Sequence, residues 1–345
     1  MTGRKPVTRV SAIIPAHNGE PYIAQAIESV LGQIGIELEL IVIDDCSSDR
    51  TAEIVQTYPS VQLVRLPRPG GNAYTSANVG VALAQSEYIA ILHQDDLWHP
   101  TKLATQVAMM DQDPRIGLSY SAIAFIGSEG KLLSCMHSPL GRSTRVVEGE
   151  VELRYLCIQN YINVCNAVVR RRALEEAGGF REDLWFAGEW AAWLRLATIG
   201  RIAYADEVLS SFRIHAHSQT QTRSHDVDAF RAQLLSVLDA FFATPGLARE
   251  VLDRRRLARA NVEVSTALLS AYWSEPASAL AALARLAVLL RPWEVPALLH
   301  ASRLIPRAQA RIRATGGARP SEGGVWRHAT RRRGAVAAVV NGCSR

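Results

Sequence analysis

The sequence lacks an apolar run long enough to cross a membrane. Its longest apolar stretches are 279–290, which Arg285 interrupts, and 334–340, which is too short, because a spanning helix needs roughly 20 apolar residues. The basic segment 1–9 leads directly into a strand-like segment, without the apolar stretch and cleavage site of a secretory signal. We therefore expect neither a transmembrane segment nor export.

Cysteine is also scarce, with five in 345 residues and no C-x-x-C pair. This number is too small for a disulfide framework and fits a reducing compartment. The sequence therefore predicts five free thiols in a cytoplasmic protein. The five residues are Cys46, Cys135, Cys157, Cys165 and Cys343.

The first part of the chain alternates between short apolar runs and helical patterns. Near-continuous apolar strands that are separated by helices predict an α/β fold, with a mostly parallel sheet and helices on both faces. Pro21 and Pro100 suit the first positions of their helices. The predicted strands are 10–15, 38–43, 61–66 and 88–92, and the predicted helices are 21–31, 49–58, 73–84 and 100–110.

The pattern changes after residue 115, which predicts a division of the chain. Strands at 117–126 and 208–214 are mixed with helices at 171–177 and 189–199. A third region, 225–315, is rich in Ala, Leu and Arg with helical periodicity, and the Gly, Arg and Ser content of 316–345 predicts a disordered tail. We expect one domain at 1–224, with halves at about 9–115 and 116–224, followed by the helical region and the tail.

Polar clusters follow three of the predicted strands, at 15–20, 44–49 and 93–96. In an open α/β sheet, ligands bind at the carboxyl ends of the strands. Ser47, Ser48 and Asp49 fit a turn and a helix cap. Asp45 is harder to explain in this way, and its carboxylate can accept a hydrogen bond from a nucleoside base or ribose. We expect Asp45 to contact a nucleoside.

The third cluster, His93-Gln94-Asp95-Asp96, follows a buried strand and contains no turn glycine. Adjacent like charges repel unless a cation or several donors offset them. Mg²⁺ and Mn²⁺ prefer carboxylate and water oxygens, and phosphate oxygens often complete their coordination shell. The cluster predicts a divalent metal site, and a solvated pair that caps the next helix is the alternative.

Seven segments carry a resemblance to a known family. Together they resemble the family 2 glycosyltransferases, inverting enzymes with the Rossmann-like GT-A fold, many of which build bacterial surface polysaccharides. The resemblance covers roughly residues 9–218. The segments are VSAIIPAHN at 10–18, IVIDDCSSDRT at 41–51, NVG at 78–80, YIAILHQDD at 88–96, GGF at 178–180, EWAAWLR at 189–195 and FRIH at 212–215.

The resemblance implies roles for the carboxylates. Asp45 would bind the base, Asp95 would lie near the ribose or donor sugar, and Asp96 would hold Mn²⁺ or Mg²⁺. Glu189 lies six residues before Arg195, where the family usually has an aspartate as the catalytic base. A carboxylate is thus kept, one methylene longer.

Other residues are implied to bind the donor. Pro15, His17 and Asn18 would line the nucleotide pocket, and Asn78 would contact the donor. His215 would contact the pyrophosphate or metal, and a buried strand-end histidine is the alternative.

The resemblance implies an inverting transfer from a nucleotide-diphosphate sugar to a hydroxyl acceptor, either a glycan or a lipid-linked saccharide. Residues 9–115 would then form the nucleotide-sugar half and 116–224 the acceptor half. The sequence departs from the family at Ala77, where an arginine is frequent, and at Ala191, where a second acidic residue is frequent. These departures keep a non-catalytic nucleotide-sugar-binding protein as an alternative.

Two other enzyme classes are disfavoured by a missing glycine-rich loop. After the first strand only Gly19 is present, whereas a dinucleotide-dependent oxidoreductase requires G-x-G-x-x-G there. A sugar nucleotidyltransferase typically carries a glycine-rich loop with a lysine or arginine at the same place.

Lysine is absent from His225 onward, and this region has 18 arginines against nine acidic residues, giving +9, while the first 224 residues carry −4. Because enzymes of this family often use lipid-carried acceptors, one interpretation is peripheral contact with the anionic inner face of the plasma membrane. The alternative is a helical subdomain that packs on the sheet or on another subunit. Nucleic acid is not expected, since Trp326 is the only aromatic residue after Trp293. The expected membrane contacts include Arg254, Arg255, Arg256, Arg331, Arg332 and Arg333.

Overall fold

A computed structural model describes residues 9–273 and 276–314 and contains, within them, a mixed sheet of ten strands. The strand order along the main path is β3-β2-β1-β4-β9-β6-β10-β5, with β7 paired to β6 and β8 paired to β10. The strands are β1 (Arg9–Ala16), β2 (Glu37–Asp44), β3 (Val61–Arg65), β4 (Tyr88–Ile91), β5 (Leu97–Trp98), β6 (Ile116–Ile126), β7 (Leu132–Met136), β8 (Arg145–Glu148), β9 (Ala167–Arg170) and β10 (Arg201–Arg213).

Strand directions bring several strand ends to one edge of the sheet. The pairs β1 to β2, β2 to β3 and β1 to β4 are parallel, as is β6 to β10. Strand β9 is antiparallel to both β4 and β6. Strands β4 and β6 therefore point the same way, and the carboxyl ends of β1, β2, β4 and β10 meet at the same edge, where ligands bind in such sheets.

Helices flank this sheet, which confirms the predicted α/β class. Helix α1 buries Ile23, Ala26, Ile27 and Val30, one face of its 3.6-residue period. The helices of the sheet region are α1 (Ile23–Leu31), α2 (Thr51–Gln56), α3 (Ala73–Leu83), α4 (Lys102–Met110), α5 (Gly149–Leu156), α6 (Arg171–Glu176), α7 (Gly188–Ile199) and α8 (Gln219–Arg223). The expected first-position prolines are wrong, since α1 and α4 begin two residues after Pro21 and Pro100.

The core lies along the central strands. All eleven residues of β6 are buried, as are all four of β4. A strand with other elements on both faces has no solvent-facing side, so its sequence is a nearly continuous run without polar alternation. This packing fixes the strand ends from which the candidate site is built.

The described residues after 224, which are 225–273 and 276–314, are mostly helical and contact the sheet region. Glu263 is buried on α11 and forms ion pairs with Arg231 of α9 and Arg285 of α12, each at 2.6 Å. Asn261 donates from its side chain to the carbonyl of Ile158 at 2.8 Å. The predicted boundary at 224 stays a prediction. These helices are α9 (Val227–Phe242), α10 (Arg249–Leu252), α11 (Arg255–Tyr272), α12 (Pro276–Leu289), α13 (Val295–Ser302) and α14 (Leu304–Ala314).

Three further sequence predictions concern membrane-spanning helices, free cysteines and the C-terminal tail. Across residues 9–273 and 276–314, no helix is both long enough and apolar enough to span a bilayer. Cys46, Cys157 and Cys165 are free, but Cys135 on β7 is disulfide-bonded, so the prediction of five free thiols is wrong. Short-range spacing could not show this bond, because no other cysteine lies near Cys135 in the sequence. The predicted tail at 316–345 lies outside the described residues.

Candidate active site

The loops after β1 and β2 are joined by backbone and side-chain hydrogen bonds. The N–H of Asp45 donates to the carbonyl of Ala16 at 2.7 Å, and Nδ1 of His17 lies 2.7 Å from the carbonyl oxygen of Asp45. Asn18 has a left-handed backbone, with φ of 51°, and its side-chain oxygen accepts from the N–H of Ser48 at 2.8 Å. Pro15 is buried at the end of β1. The structure thus brings Pro15, His17, Asn18 and Asp45 together at the predicted edge.

The adjacent carboxylates Asp44 and Asp45 have different partners. Asp44 is fully buried, pairs with Nε of Arg65 at 2.7 Å and accepts from the N–H of Ser47 at 3.0 Å. Asp45 is 8% exposed, and its Oδ1 accepts from the N–H of Gly70 at 2.5 Å. Asp44 therefore stabilises the loop. The hydrogen bond from Gly70 orients the carboxylate of Asp45 at the end of β2.

Gln94 links the loops after β1 and β4. Its side-chain oxygen accepts from the N–H of His17 at 2.7 Å, and its side-chain nitrogen donates to the carbonyl of His17 at 2.9 Å. A Cβ at Gly19 would lie 2.5 Å from that side-chain oxygen. A larger residue at position 19 would therefore displace the Gln94 side chain that links the two loops, a reason for glycine that the sequence alone did not reveal.

The metal-site prediction rests on His93, Asp95 and Asp96, which the structure places together. Each of the three offers one ligand atom, and these atoms lie within 4.8 Å of one another. Asp96 is 1% exposed, and its Oδ1 accepts from the N–H of Arg213 at 2.9 Å. The thiol of Cys165 also hydrogen-bonds this carboxyl group, but no well-placed donor among the described residues reaches the buried Oδ2. A buried acceptor without a partner is costly. A cation at this position would remove that cost.

Electrostatics at the pair also favour a cation. Burial, and then the charge of Asp95, raise the pKa of Asp96 well above its usual range. Burial acts to raise the pKa of Asp95 too, but the hydrogen bond from His215 and the neighbouring histidines hold it below the ordinary value. A divalent ion reverses such repulsion, because it is the largest local charge in its site.

The end of β10 supports the two aspartates. Nε2 of His215 lies 2.8 Å from Oδ2 of Asp95, next to the candidate metal cluster, and its contact with the pyrophosphate or metal stays a prediction. The buried guanidinium of Arg213 donates to the carbonyl oxygens of Asp95 at 2.7 Å and Ser128 at 2.9 Å. Sequence reasoning named His215 but not Arg213, although both belong to the FRIH segment.

Glu189 lies in the first turn of α7. Its carboxylate accepts from the hydroxyl of Tyr74 through Oε2 and from the side chain of Asn160 through Oε1, the latter at 3.3 Å. The residue is partly accessible, but protein surrounds its carboxyl group, and this burial raises the pKa of Glu189 to about 7. A carboxyl group with this pKa is suited to exchange protons near neutral pH.

Cys165 connects the two carboxylate sites. Burial raises the pKa of its thiol well above the ordinary value, and the charges of Asp96 and Glu189 act on it in the same direction. The thiol thus lies within electrostatic range of both. That the candidate metal ligand and the candidate base serve one active site stays a prediction.

Asn78 is the predicted site residue that the structure uses elsewhere. Its side-chain nitrogen donates to the carbonyl of Phe180 at 2.9 Å and to Glu182 at 2.8 Å, and its side-chain oxygen accepts from the N–H of Phe180 at 3.1 Å. Both N–H groups are used, so Asn78 joins α3 to the loop after α6. Its contact with the donor stays a prediction.

Comparison with known proteins identifies the family. The profile described as Glycosyl transferase family 2 matches residues 11–178. The putative teichuronic acid biosynthesis glycosyltransferase TuaG of Bacillus subtilis is 30% identical over 221 residues, which cover 62% of this chain and 81% of TuaG. The chain belongs to glycosyltransferase family 2 and is a glycosyltransferase enzyme.

Solved structures confirm the GT-A fold. TarS 1–349 of S. aureus in complex with UDP-GlcNAc has a TM-score of 0.62 at 18% identity, over 90% of this chain and 91% of that one. The mannosyltransferase PcManGT of Pyrobaculum calidifontis, in complex with GDP-Man and Mn²⁺, has a TM-score of 0.56 at 19% identity, over 89% and 83%. At these identities the likeness shows the fold alone.

Proposed function

We propose that this glycosyltransferase moves a sugar from a nucleotide-diphosphate sugar to an acceptor hydroxyl, with inversion at the anomeric carbon. The observation that carries the proposal is a pair of unlike carboxylates, Asp96 and Glu189, whose charges both act on the thiol of Cys165. Asp96 has a buried oxygen that no well-placed donor in the described part of the chain reaches, and burial raises the pKa of Glu189 to about 7. The first suits a cation at the leaving diphosphate, and the second suits the proton of the acceptor.

The donor would lie along the edge formed by the ends of β1, β2 and β4. Asp45, oriented by the N–H of Gly70, would accept from the base or ribose. His17 and Asn18 are exposed beside it and would line the nucleotide pocket. The structures of TarS with UDP-GlcNAc and of PcManGT with GDP-Man support this class of donor.

Asp96, with Asp95 and His93 beside it, would hold Mn²⁺ or Mg²⁺. Carboxylate oxygens are the ligands that both ions prefer, and the unpartnered Oδ2 of Asp96 provides one. The PcManGT structure contains Mn²⁺, which supports a divalent ion in this fold. When bound, the ion neutralises charge that develops on the departing diphosphate.

Glu189 would act as the general base. Its ionised carboxylate removes the proton of the acceptor hydroxyl while the acceptor oxygen bonds to the anomeric carbon. The bond from that carbon to the diphosphate oxygen breaks, and its electron pair leaves with the nucleoside diphosphate. Attack from the side opposite to the leaving group inverts the anomeric configuration.

The acceptor would be a glycan or a lipid-linked saccharide in the synthesis of cell-surface polysaccharide. The relative TuaG is assigned to teichuronic acid biosynthesis, which supports an acceptor of this class.

A donor screen tests the proposal. Purified protein is mixed with UDP-, GDP- and other nucleotide sugars and with Mn²⁺ or Mg²⁺, and release of nucleoside diphosphate is measured. We expect release with at least one donor, and loss of release on addition of EDTA. Full release in EDTA would contradict a metal-dependent mechanism.

We also propose that the C-terminal helices attach the enzyme to the inner face of the plasma membrane. The inner faces of these helices pack on the protein, but Leu280, Leu283 and Val288 of α12 are exposed, and Trp293 is 72% exposed. The guanidinium of Arg291 lies 5.6 Å from the centre of the Trp293 ring. An apolar face with tryptophan and arginine beside it is typical of interfacial helices.

The arginines predicted to contact the membrane differ in exposure and in ion pairing. Arg255 is exposed and Arg254 is half-buried, whereas Arg256 forms an ion pair with Glu294. Arg331, Arg332 and Arg333 lie outside the described residues. The apolar face of α12 therefore supports the proposal more strongly than the arginine cluster does.

Co-sedimentation with vesicles tests membrane attachment. We expect binding to phosphatidylglycerol vesicles, weaker binding with added salt, and loss of binding in a Leu280→Glu, Val288→Glu double variant. Ile34→Glu, an exposed apolar position outside the C-terminal region, is the matched control. Equal recovery in the supernatant with anionic and phosphatidylcholine vesicles at low salt would exclude this attachment.

A further inference from the structure

Tyr74 is a buried residue in the first turn of α3 that no sequence motif singled out. It is 4% exposed, and its hydroxyl donates to Oε2 of Glu189, with the carbonyl oxygen of Phe186 also 3.0 Å away. Burial and the neighbouring charge of Glu189 raise the pKa of Tyr74 well above its ordinary value. The phenol therefore stays protonated and remains a hydrogen-bond donor.

A glycine makes this contact sterically feasible. A Cβ at Gly188 would lie 2.6 Å from Cδ2 of Tyr74 and 2.8 Å from the carbonyl oxygen of Arg181. Only a residue without a side chain lets the Tyr74 ring pass beside the start of α7 to reach Glu189. Gly188 is the first residue of α7 and directly precedes Glu189 in the sequence. The same residue therefore begins the helix and leaves space for the Tyr74 ring.

The start of α3 is anchored to the same loop. The side-chain oxygen of Asn72 caps the helix by accepting from the N–H of Tyr74 at 2.8 Å, and its side-chain nitrogen donates to the carbonyl of Glu182 at 2.7 Å. The Tyr74 ring stacks on Phe180, with 6.0 Å between centroids. Side-chain and backbone contacts therefore both fix the position of the hydroxyl.

We propose that Tyr74 is the positioning residue of the catalytic base: its hydroxyl holds Oε2 of Glu189 and leaves Oε1 to receive the proton of the acceptor. The only protein partner of Oε1 among the described residues is the side chain of Asn160, at 3.3 Å. The inference rests on the proposed role of Glu189 and goes beyond it, since it assigns separate tasks to the two carboxylate oxygens.

The same contact sets the basicity of Glu189. Burial raises the pKa of Glu189, and the hydrogen bonds from Tyr74 and Asn160 act against that rise. The titratable groups that face this carboxyl in the described part of the chain are Tyr74 from α3 and Cys165 from the short turn before β9. Without the Tyr74 hydroxyl, the effect of burial on Glu189 is offset less, and the pKa of Glu189 rises. The ionised base should therefore form only at higher pH.

The test is the pH dependence of kcat and of the donor KM for Tyr74→Phe. A hydrogen bond to a charged group contributes enough to move a pKa by about one unit. We therefore expect the acidic limb of the kcat profile, with a midpoint near 7 in the wild type, to move upward by about one pH unit, with the donor KM unchanged. Gly188→Ala, which displaces the ring but keeps the hydroxyl, should shift the limb in the same direction and serves if Tyr74→Phe does not fold.

The matched control is Tyr88→Phe, since the buried Tyr88 also donates to a carboxylate, Asp111, at 2.6 Å and lies outside the site. Its profile should superimpose on that of the wild type. A lower kcat at every pH with an unshifted midpoint in both Tyr74→Phe and Gly188→Ala would overturn the inference. Full activity of Glu189→Gln would instead refute the proposed base, so the two failures are distinguishable.

Discussion

The carboxyl groups of Asp96 and Glu189 both have raised pKa values, but their surroundings differ. Asp96 is buried beside a second carboxylate, Asp95, and one of its oxygens has no well-placed donor within residues 9–273 and 276–314. Glu189 is surrounded by neutral donors, from Tyr74 and Asn160, and burial alone raises its pKa. The first arrangement needs a positive charge, whereas the second needs only a proton. Burial of the same functional group thus yields a metal ligand in one place and a base in another.

The largest expected effect comes from the metal side. Asp96→Ala should lower kcat by about 10³-fold or more, because the charge on the leaving diphosphate would lose its counter-ion. The measurement is nucleoside diphosphate release across a range of Mn²⁺ concentrations. If Asp96→Ala kept the kcat of the wild type, Asp96 would not be the metal ligand, and its contrast with Glu189 would be mistaken.

The next effect comes from the base. Glu189→Gln should lower kcat by about 10²-fold or more while the donor KM changes little, because the amide cannot take the proton of the acceptor. Glu176→Gln, at an exposed position on α6, is the control and should match the wild type. A collapse of donor affinity at unchanged kcat would assign Glu189 to the donor side.

Stability should respond to pH through the same residue. The folded state holds the proton of Glu189 up to a pKa of about 7, against an ordinary value of 4.5. The unfolded chain therefore ionises first, and folding loses stability as pH rises between these values. Glu189→Gln removes this loss, so its free energy of unfolding should match the wild type below pH 4.5 and exceed it above pH 7 by on the order of 3 kcal/mol. Urea unfolding at both pH values checks the sign, and a constant difference would contradict it.

The smallest expected effect, that of Arg213→Lys, should distinguish the metal site from the base most clearly. Arg213→Lys loses the planar contacts to the carbonyl oxygens of Asp95 and Ser128. Because such supporting residues typically affect metal affinity by about 10-fold or more, we expect a higher Mn²⁺ concentration for half-maximal activity. The kcat midpoint near pH 7, assigned to Glu189, should stay in place. A shift of that midpoint would mean that the two sites are not independent.

Local patterns predicted much of the fold. Strands β1 to β4, the helices that follow them and α7 were predicted to within a few residues, because each has a clear apolar period. The insertion of β9 between β4 and β6 was not predicted, since strand order depends on contacts distant in the sequence. The two-residue β5 is too short to show a period.

The site shows the same limit. Asp45 and Asp96 could be named because carboxylates at strand ends and the family resemblance both indicate them, whereas Glu189 could be named from the resemblance alone. Tyr74 and Arg213 could not, because their roles depend on a ring passing Gly188 and on a guanidinium reaching loops from another strand. Such roles become visible only when the folded contacts are known.

The most direct test of the separate roles of Asp96 and Glu189 is calorimetric measurement of donor binding in the presence of Mn²⁺. A nucleotide sugar that the wild type uses is titrated into Asp96→Ala and into Glu189→Gln. The account predicts that Asp96→Ala loses metal-dependent donor binding, whereas Glu189→Gln binds the donor as the wild type does and yet turns it over slowly. Unchanged donor binding by Asp96→Ala, or lost binding by Glu189→Gln, would contradict it.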